Sequence, residues 1–516
     1  MKITKTLFYT FSTITLFWLG CSPSSGWEEA KLVSRTARIQ PDYSGITIPP
    51  NIAPLNFRVE ETGVRYHVEI RGPAEPAIRI QGKSPAIQIP LDDWERFLLA
   101  NRGNAYKVDI YLEDSTGNWI RFSPIENRIA GDSIDPFLAY RRLGPLYSFW
   151  KKMGIFQRNL ENFDESPVYL SRLTENSCMN CHNFSNNSPD RWLLHLRGGP
   201  GTGMLLIDGD KANKISTKTD FNGHVAYPAW HPSGNLAVFS SNRLILFFHS
   251  TGEPRDVLDL ASDLVVYDIS TNVLTTSSQI ADPERMENWP AWSPDGEYLY
   301  FCSAPKLETY EDVEGQDLAY RQIKYDLMRV SFDEKTRRWG KLERVLYGAE
   351  IGGSINQPRV SPDGRFVLFT VSEYGNFPIY LSSADLYLLD LSAGKSKKLD
   401  INSDYVESFH AWSSNGRWIV FSSKRIDHLF ARPYFAYMDV NGEFSKPFVL
   451  PQKDPGYYET RLETFNVPEF IREPVDISAK RLAKAAYQEA KSVELDPKWI
   501  PAEKKEEKPM SNPQPQ

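Results

Sequence analysis

The chain has 516 residues, a formal net charge of −7, 13% aromatic residues, 36 Pro, 31 Gly and 4 Cys. The acidic balance argues against nucleic acid or a polybasic membrane patch as partner. The length predicts several domains or one large repeat domain, the aromatic and turn-forming residues suit an all-β fold, and so few cysteines imply no structural disulfide.

Residues 1–20 read as a targeting segment. Lys2 and Lys5 give a positive start, Leu7 to Leu19 is mostly apolar, and Gly20 stands before Cys21. The stretch is too short and wrongly flanked for a stable spanning helix. It resembles a bacterial lipoprotein signal. That resemblance implies that Cys21 becomes the acylated first residue, held by a lipid anchor to a membrane of the bacterial cell envelope. A simple secretory signal is the alternative. Residues 21–42 are polar and irregular and read as a tether.

From residue 43 to 126 the pattern becomes short strands with turn residues between them. Tyr66–Arg71, Ala77–Gln81, Lys107–Glu113 and Trp119–Pro124 are the clearest, and Val108-Asp-Ile-Tyr-Leu alternates apolar and polar. Leu91–Ala100 carries acidic residues in its first turn and predicts a short helix. These features predict a small β-sandwich, with no catalytic cluster among its residues.

Cys178, Cys181 and His182 form a Cys-x-x-Cys-His unit. This is the attachment pattern of c-type haem. Two thiols three positions apart can add to the two vinyl groups of one porphyrin, and the following imidazole can reach the iron. Structural zinc would require a fourth ligand at matching spacing, and there is no second Cys-x-x-Cys. A thioredoxin-type pair would require a βαβ setting that the sequence does not show. The expected cofactor is therefore one covalently attached haem c. Export out of the cytoplasm, where such haem is attached in bacteria, agrees with the targeting segment. Cys302, in Tyr298-Leu-Tyr-Phe-Cys-Ser, reads as a buried thiol in a strand.

Four segments repeat one turn. They are Tyr227-Pro-Ala-Trp-His-Pro-Ser-Gly234, Trp289-Pro-Ala-Trp-Ser-Pro-Asp-Gly296, Gln357-Pro-Arg-Val-Ser-Pro-Asp-Gly364 and Phe409-His-Ala-Trp-Ser-Ser-Asn-Gly416, each followed by an alternating strand. Proline fixes one φ, and Asp and Gly complete a tight turn. The glycine intervals, 62, 68 and 52 residues, leave room for four strands each. This spacing predicts β-propeller blades. The segments resemble TolB-like propeller repeats, which carry this same turn.

A fifth corner is expected at the haem motif, aligning Asn183 with Asn288, with Met204-Leu-Leu-Ile-Asp-Gly as its third strand. Met153–Leu160 and Ser166–Leu170 would be the last strands of a preceding blade. The predicted fold is all-β: a six-bladed propeller over residues 127–465 behind the β-sandwich, then a C-terminal segment, 466–516, with a short helix from about Ser478 and a disordered tail.

In this frame Cys178–His182 occupies the loop leading into one blade, beside the glycine-rich loop Gly198–Gly203, whose backbone could approach a flat ring. Met204, at the end of that loop, is the candidate second axial ligand of the iron, with His249 and His224 as alternatives. His195 reads as structural. Asn288, Asn356, Glu407, Ser408 and His410 take aligned positions on the same face and read as satisfying loop backbone. No Gly-x-Ser-x-Gly elbow or legible Ser-His-Asp order supports a peptidase.

The expected function is that of a lipid-anchored monohaem cytochrome c that relays electrons to a protein redox partner or senses redox state. A protein- or glycan-binding propeller with a structural haem, and a haem enzyme with an open axial site, are the alternatives. Fold alone does not separate them.

Overall fold

The computed structural model describes residues 26–144, 152–247, 256–307 and 320–496. Residues 1–20, Cys21, His249 and the chain from 497 lie outside the described residues.

Six sheets, each with four antiparallel strands and two of them extended by a fifth, make the blades of a closed propeller. Blade 2 begins with Cys178–Phe184, blade 3 with Val225–Trp230, blade 4 with Arg285–Trp292, blade 5 with Ser354–Val360 and blade 6 with Glu407–Trp412. Each of these inner strands packs against the next around a central channel. Blade 1 is built from both ends of the ring. Its outer strands are Phe137–Leu143, Gly154–Asn159 and Glu165–Leu170, and its inner strand is Thr464–Ile471, paired antiparallel with Phe137–Leu143. The propeller therefore extends past residue 465. Closing the ring with the last strand ties the two ends of the propeller chain into one blade.

The repeated turns form as their residues dictate. Gly234, Gly296, Gly364 and Gly416 have φ of 72°, 75°, 72° and 68°. The amide of each donates to the carbonyl three residues earlier, at 2.8–2.9 Å. At Gly296 space enforces the choice as well as φ, because a Cβ would lie 2.3 Å from His231 Nε2.

The blade 2 corner differs from the sequence alignment. Trp292 pairs with Leu299, whereas Asn183 pairs with Leu193. The haem-motif corner is three residues longer, and the short 3-10 turn Ser185–Asn187 takes up the excess. Asn183 thus corresponds to Trp292, and His182 to Ala291, rather than Asn183 to Asn288. Cys178–His182 is strand, and not the loop before it.

Residues 31–129 form the sandwich: a seven-stranded sheet, a three-stranded sheet of Ile39–Gln40, Phe57–Val59 and Ala86–Ile87, and the helix Leu91–Ala100, which in the chain precedes the strand Ala105–Glu113 of the larger sheet. Part of the expected tether belongs to it. Lys31–Thr36 runs parallel to Trp119–Ser123 as an edge strand, and Ile39–Gln40 pairs with Phe57–Val59. The edge strand is mostly exposed on both faces, so it shows no apolar alternation that would mark it in the sequence. One apolar core joins the domains, running from Val68 and Trp94 to Leu368 and Phe421.

After the ring closes, Ser478 caps the helix Ala479–Ala486, its hydroxyl accepting from the Arg481 amide at 3.3 Å. Lys491–Ser492 and Glu494–Leu495 then add parallel strands to the outer edges of blades 2 and 3. This latch lies between the expected helix and the tail expected from Pro501, where no strand was predicted.

Candidate functional site

The channel is shaped by one irregularity repeated in all six inner strands. Each ladder is interrupted by a β-bulge of two residues, at 180–181, 227–228, 289–290, 357–358, 409–410 and 467–468. The first residue of the bulge has positive φ in five blades: Tyr227 at 49°, Trp289 at 49°, Gln357 at 52°, Phe409 at 48° and Val467 at 49°. Such bulges bend the strand and re-aim side chains. The second position is proline in four blades, His410 in blade 6 and Cys181 in blade 2. The residue after the bulge is alanine in blades 3, 4 and 6, but His182, Arg359 and Glu469 in blades 2, 5 and 1. Four of the departures from the repeat, Cys181, His182, Arg359 and Glu469, line one cavity.

These residues wall a cavity of about 90 Å³, smaller than ordinary cofactor sites. Cys181 and His182 line it, with Tyr227, Trp289 and Phe409 as aromatic wall and Arg141, Arg197 and Arg359 as cations. Tyr227 stacks on Trp289 with ring centroids 3.7 Å apart. On the turn side of the bulges a funnel of about 410 Å³ opens, and Arg359 and Glu469 line both spaces.

A hairpin arm of blade 3 closes part of the cavity. Its strands Leu236–Phe247 and Asp256–Asp268 extend well beyond the blade, and Leu244 and Val257 reach the cavity wall. One Asp259 carboxylate oxygen accepts from Asn242, Asn288 and Asn376, at 2.8, 3.1 and 2.5 Å. Burial pushes this carboxyl up to about 7 against those three donors. Tyr374 donates to Asp256 at 2.9 Å. The arm is thereby fastened across blades 4 and 5.

His182 is 1% exposed, and neither ring nitrogen has a hydrogen-bond partner. Burial, reinforced by the Arg141 charge, pushes the imidazole down to about 3. The backbone at Val467 pulls the other way, without reaching hydrogen-bond geometry with either nitrogen. The ring is neutral at physiological pH, the state in which imidazole ligates metals. A histidine buried this deeply normally satisfies at least one nitrogen.

Cys178 is buried in the adjoining core of Met179, Trp192 and Leu194, just outside the cavity wall. Burial raises its thiol, while Arg141 and Arg197 oppose that shift. The donor types suit the haem expectation, while the cavity in this structure is smaller than a haem. Cys181 and His182 both line it, and the second thiol lies on the same strand, outside the cavity wall. Among the described residues no three His, Cys, Asp or Glu side chains come together as a metal-ligand group.

The structure does not bring Met204 to His182. Met204 pairs with His195 and is buried in the core shared with blade 3, among Leu193, Val225 and Phe239. The glycine-rich loop also serves another purpose than expected. A Cβ at Gly201 would lie 2.8 Å from Thr174, and one at Gly203 2.9 Å from Lys214, so its close approaches are to the protein itself. His224 is exposed and lies beside His195, with ring centroids 6.4 Å apart. His195 is buried within its strand, and Cys302 is buried in blade 4.

The aligned polar residues hold loops and neighbouring strands. Asn288 binds Asp259, Asn356 donates to Ser354 and Ser372, Glu407 pairs with Arg425 at 2.9 Å, and His410 lies 3.0 Å from the Leu368 carbonyl. Sequence reasoning missed Arg359 and Glu469. Their signal was available in the repeat, as charged residues at a position that is otherwise alanine.

No family model and no curated protein matches the chain. Among solved structures it is similar to TolB from Acinetobacter baumannii, at 14% identity and a TM-score of 0.42, over 74% of this chain and 85% of that one. It is also similar to the β-propeller domain of the Trilobed protease from Pyrococcus furiosus, at 15% identity and a TM-score of 0.31, over 64% of this chain and 85% of that one. A third likeness is to Kuenenia stuttgartiensis hydrazine synthase, at 13% identity and a TM-score of 0.29, over 51% of this chain and 64% of that one. The six sheets and their closing strand identify the propeller independently of these likenesses.

Proposed function

We propose that Cys178, Cys181 and His182 hold one covalently attached haem c in the propeller channel, and that the protein transfers electrons or senses redox state in the bacterial cell envelope. The observation that carries this reading is His182. Its two nitrogens are buried and unsatisfied, and the residue lines a cavity that the neighbouring Cys181 also lines. A haem bound there supplies a one-electron couple. The chain's own residues do the rest. Cys178 and Cys181 provide the attachment sulfurs, and His182 offers a neutral nitrogen. Arg141, Arg197 and Arg359 surround the cavity with positive charge, which favours thiolate before attachment and stabilises an added electron afterwards. Leu244 and Val257 on the blade 3 arm restrict water.

The reading includes a lipid anchor at Cys21 and a protein redox partner at the channel mouth. Acid-acetone extraction followed by a reduced-minus-oxidised spectrum tests it: the expected result is a haem spectrum retained by the protein. Protein purified from cells competent in cytochrome c maturation, yet without acid-stable haem, would overturn it.

A second reading is a haem enzyme with an open axial position. It is favoured by the cavity wall, where His182 is the one histidine and no methionine occurs among the described residues. Rapid carbon monoxide binding by the native ferrous protein would select it over a relay.

A further inference from the structure

The seven-stranded sheet of the sandwich turns one face to the apolar core, with Tyr66, Val68, Ile70, Ile110 and Leu112 at the inner positions. By strand alternation Arg65, His67, Glu69 and Arg71 take the outer positions, where pairing sets them beside Glu113, Tyr111, Asp109 and Lys107. Arg79 pairs with Glu69 and Arg121 with Tyr111, which extends the same outer face.

The charges on this face form two layers. The carboxylates lie beneath, with the Glu69, Asp109 and Glu113 side chains no more than 10% exposed. The guanidinium groups lie above, and the side chains of Arg65, Arg71, Arg79 and Arg121 are 39–63% exposed. Arg79 donates to Glu69 at 2.8 Å, and Arg71 and Arg121 donate to Asp109 at 2.6 and 2.8 Å. Each guanidinium carries five N–H donors, and these carboxylates take only one or two of them. The outer layer therefore has donors left over for an acceptor outside the protein.

The N-terminal segment lies on the same face. Trp27 stacks on His67 with ring centroids 4.2 Å apart, and meets the Tyr111 ring edge-on at 5.3 Å. Gly26 approaches Trp119 so closely that a Cβ would lie 3.0 Å from its ring. The chain then enters the edge strand Lys31–Thr36, where Leu32 pairs with Arg121 and is 60% exposed. Cys21 stands six positions before Trp27. An extended chain spans at most about 3.6 Å per residue, so the two Cα atoms are no more than roughly 20 Å apart. Arginine, tryptophan and tyrosine together suit the headgroup layer of a bilayer, where donors meet phosphate and amphipathic rings sit at the boundary.

We propose that the outer face of this sheet lies against the lipid headgroups, with Arg65, Arg71, Arg79 and Arg121 donating to their phosphates. This rests on the lipid anchor at Cys21 and not on the haem. Four guanidiniums over three carboxylates leave little net charge, so the anchor supplies the attachment and the arginines its orientation. The propeller, joined to the sandwich through the core on the inner face, is held away from the bilayer.

The test uses the mature chain from Cys21, acylated and bound to vesicles of phosphatidylethanolamine and phosphatidylglycerol, and the unacylated Cys21→Ser chain in solution. Hydroxyl-radical footprinting reads the side chains. Oxidation of Trp27 and Leu32 is expected to fall severalfold on the vesicles. Leu99 on the sandwich helix and Leu429 and Leu462 on the propeller, all exposed, are expected to react as in solution. Purified protein brings no partner chain, so protection reports lipid. Arg65→Gln/Arg79→Gln keeps the anchor and is expected to return Leu32 toward its solution reactivity; unchanged protection in that variant would overturn the proposal. If the variant does not fold, the wild-type comparison decides. Acylated wild type whose Trp27 and Leu32 react on vesicles as they do in solution would overturn the proposal while leaving the anchor in place. A mass showing no acylation of Cys21 would remove the anchor and this inference together.

Discussion

The Asn376 side chain donates to Asp259 at 2.5 Å, and this contact joins a hairpin arm of blade 3 to a loop of blade 5. Asp259 gathers two further amide donors, Asn242 and Asn288, on the same oxygen. The arm that bounds the cavity is therefore held by one buried carboxylate. Asp259→Ala leaves three donors without their acceptor and is expected to cost about 1–3 kcal/mol. Limited proteolysis should then cut within the arm before the blades, and cleavage elsewhere first would show that Asp259 does not hold it.

The same carboxylate makes stability depend on pH. Burial raises Asp259 from its ordinary value of 3.8 to about 7. A raised carboxyl binds its proton more tightly in the folded chain, so its contribution is complete below about 3.8 and is lost as pH rises through about 7. Glu287, raised to about 8 by burial and by Asp263 and Asp282, acts in the same direction. Asp259→Asn cannot ionise. Its Tm is expected to fall less than wild type between pH 5 and 8, measured by calorimetry; parallel curves would contradict the assignment.

Met204 is expected to act as a core residue. Met204→Ala should cost about 2–5 kcal/mol in denaturant unfolding through the void it leaves between blades 2 and 3. The haem spectrum of the folded variant should match wild type. Loss of a methionine–iron absorption band in this variant would restore Met204 as a ligand.

Two turn glycines that look identical in the repeat should differ. Gly296→Ala must bear both positive φ and contact with His231. Gly364→Ala has the same sign of φ, but its Cβ would meet nothing nearer than Pro294 at 3.7 Å. The Gly364 variant should cost about 1–2 kcal/mol, and the Gly296 variant measurably more. Equal unfolding midpoints would mean that His231 moves aside freely.

Much of the propeller was legible because its determinants are local. A Ser-Pro-Asp-Gly turn closes on hydrogen bonds within four residues, and the strand Phe366–Ser372 beside it is a mostly apolar run, buried throughout. The register of blade 2 was not legible, because Ser185–Asn187 resembles the rest of a polar corner and only pairing with Arg191–Arg197 shows that it is extra. The edge strand Lys31–Thr36 escaped detection for a related reason. It is specified by its neighbour Trp119–Ser123, and not by an apolar face of its own.

The sequence by itself determined the spacing of Cys178, Cys181 and His182, and the four repeated turns of the propeller, since both depend on residues adjacent in the chain. Only the tertiary structure decided what surrounds the motif. Strand pairing placed Met204 on the face toward blade 3, the inner-strand bulges aimed Cys181 and His182 into the channel, and closure of the ring by Thr464–Ile471 set Glu469 beside them and Arg359 across from them. These relations join residues hundreds of positions apart, and they exist only once the last strand has paired with the first sheet.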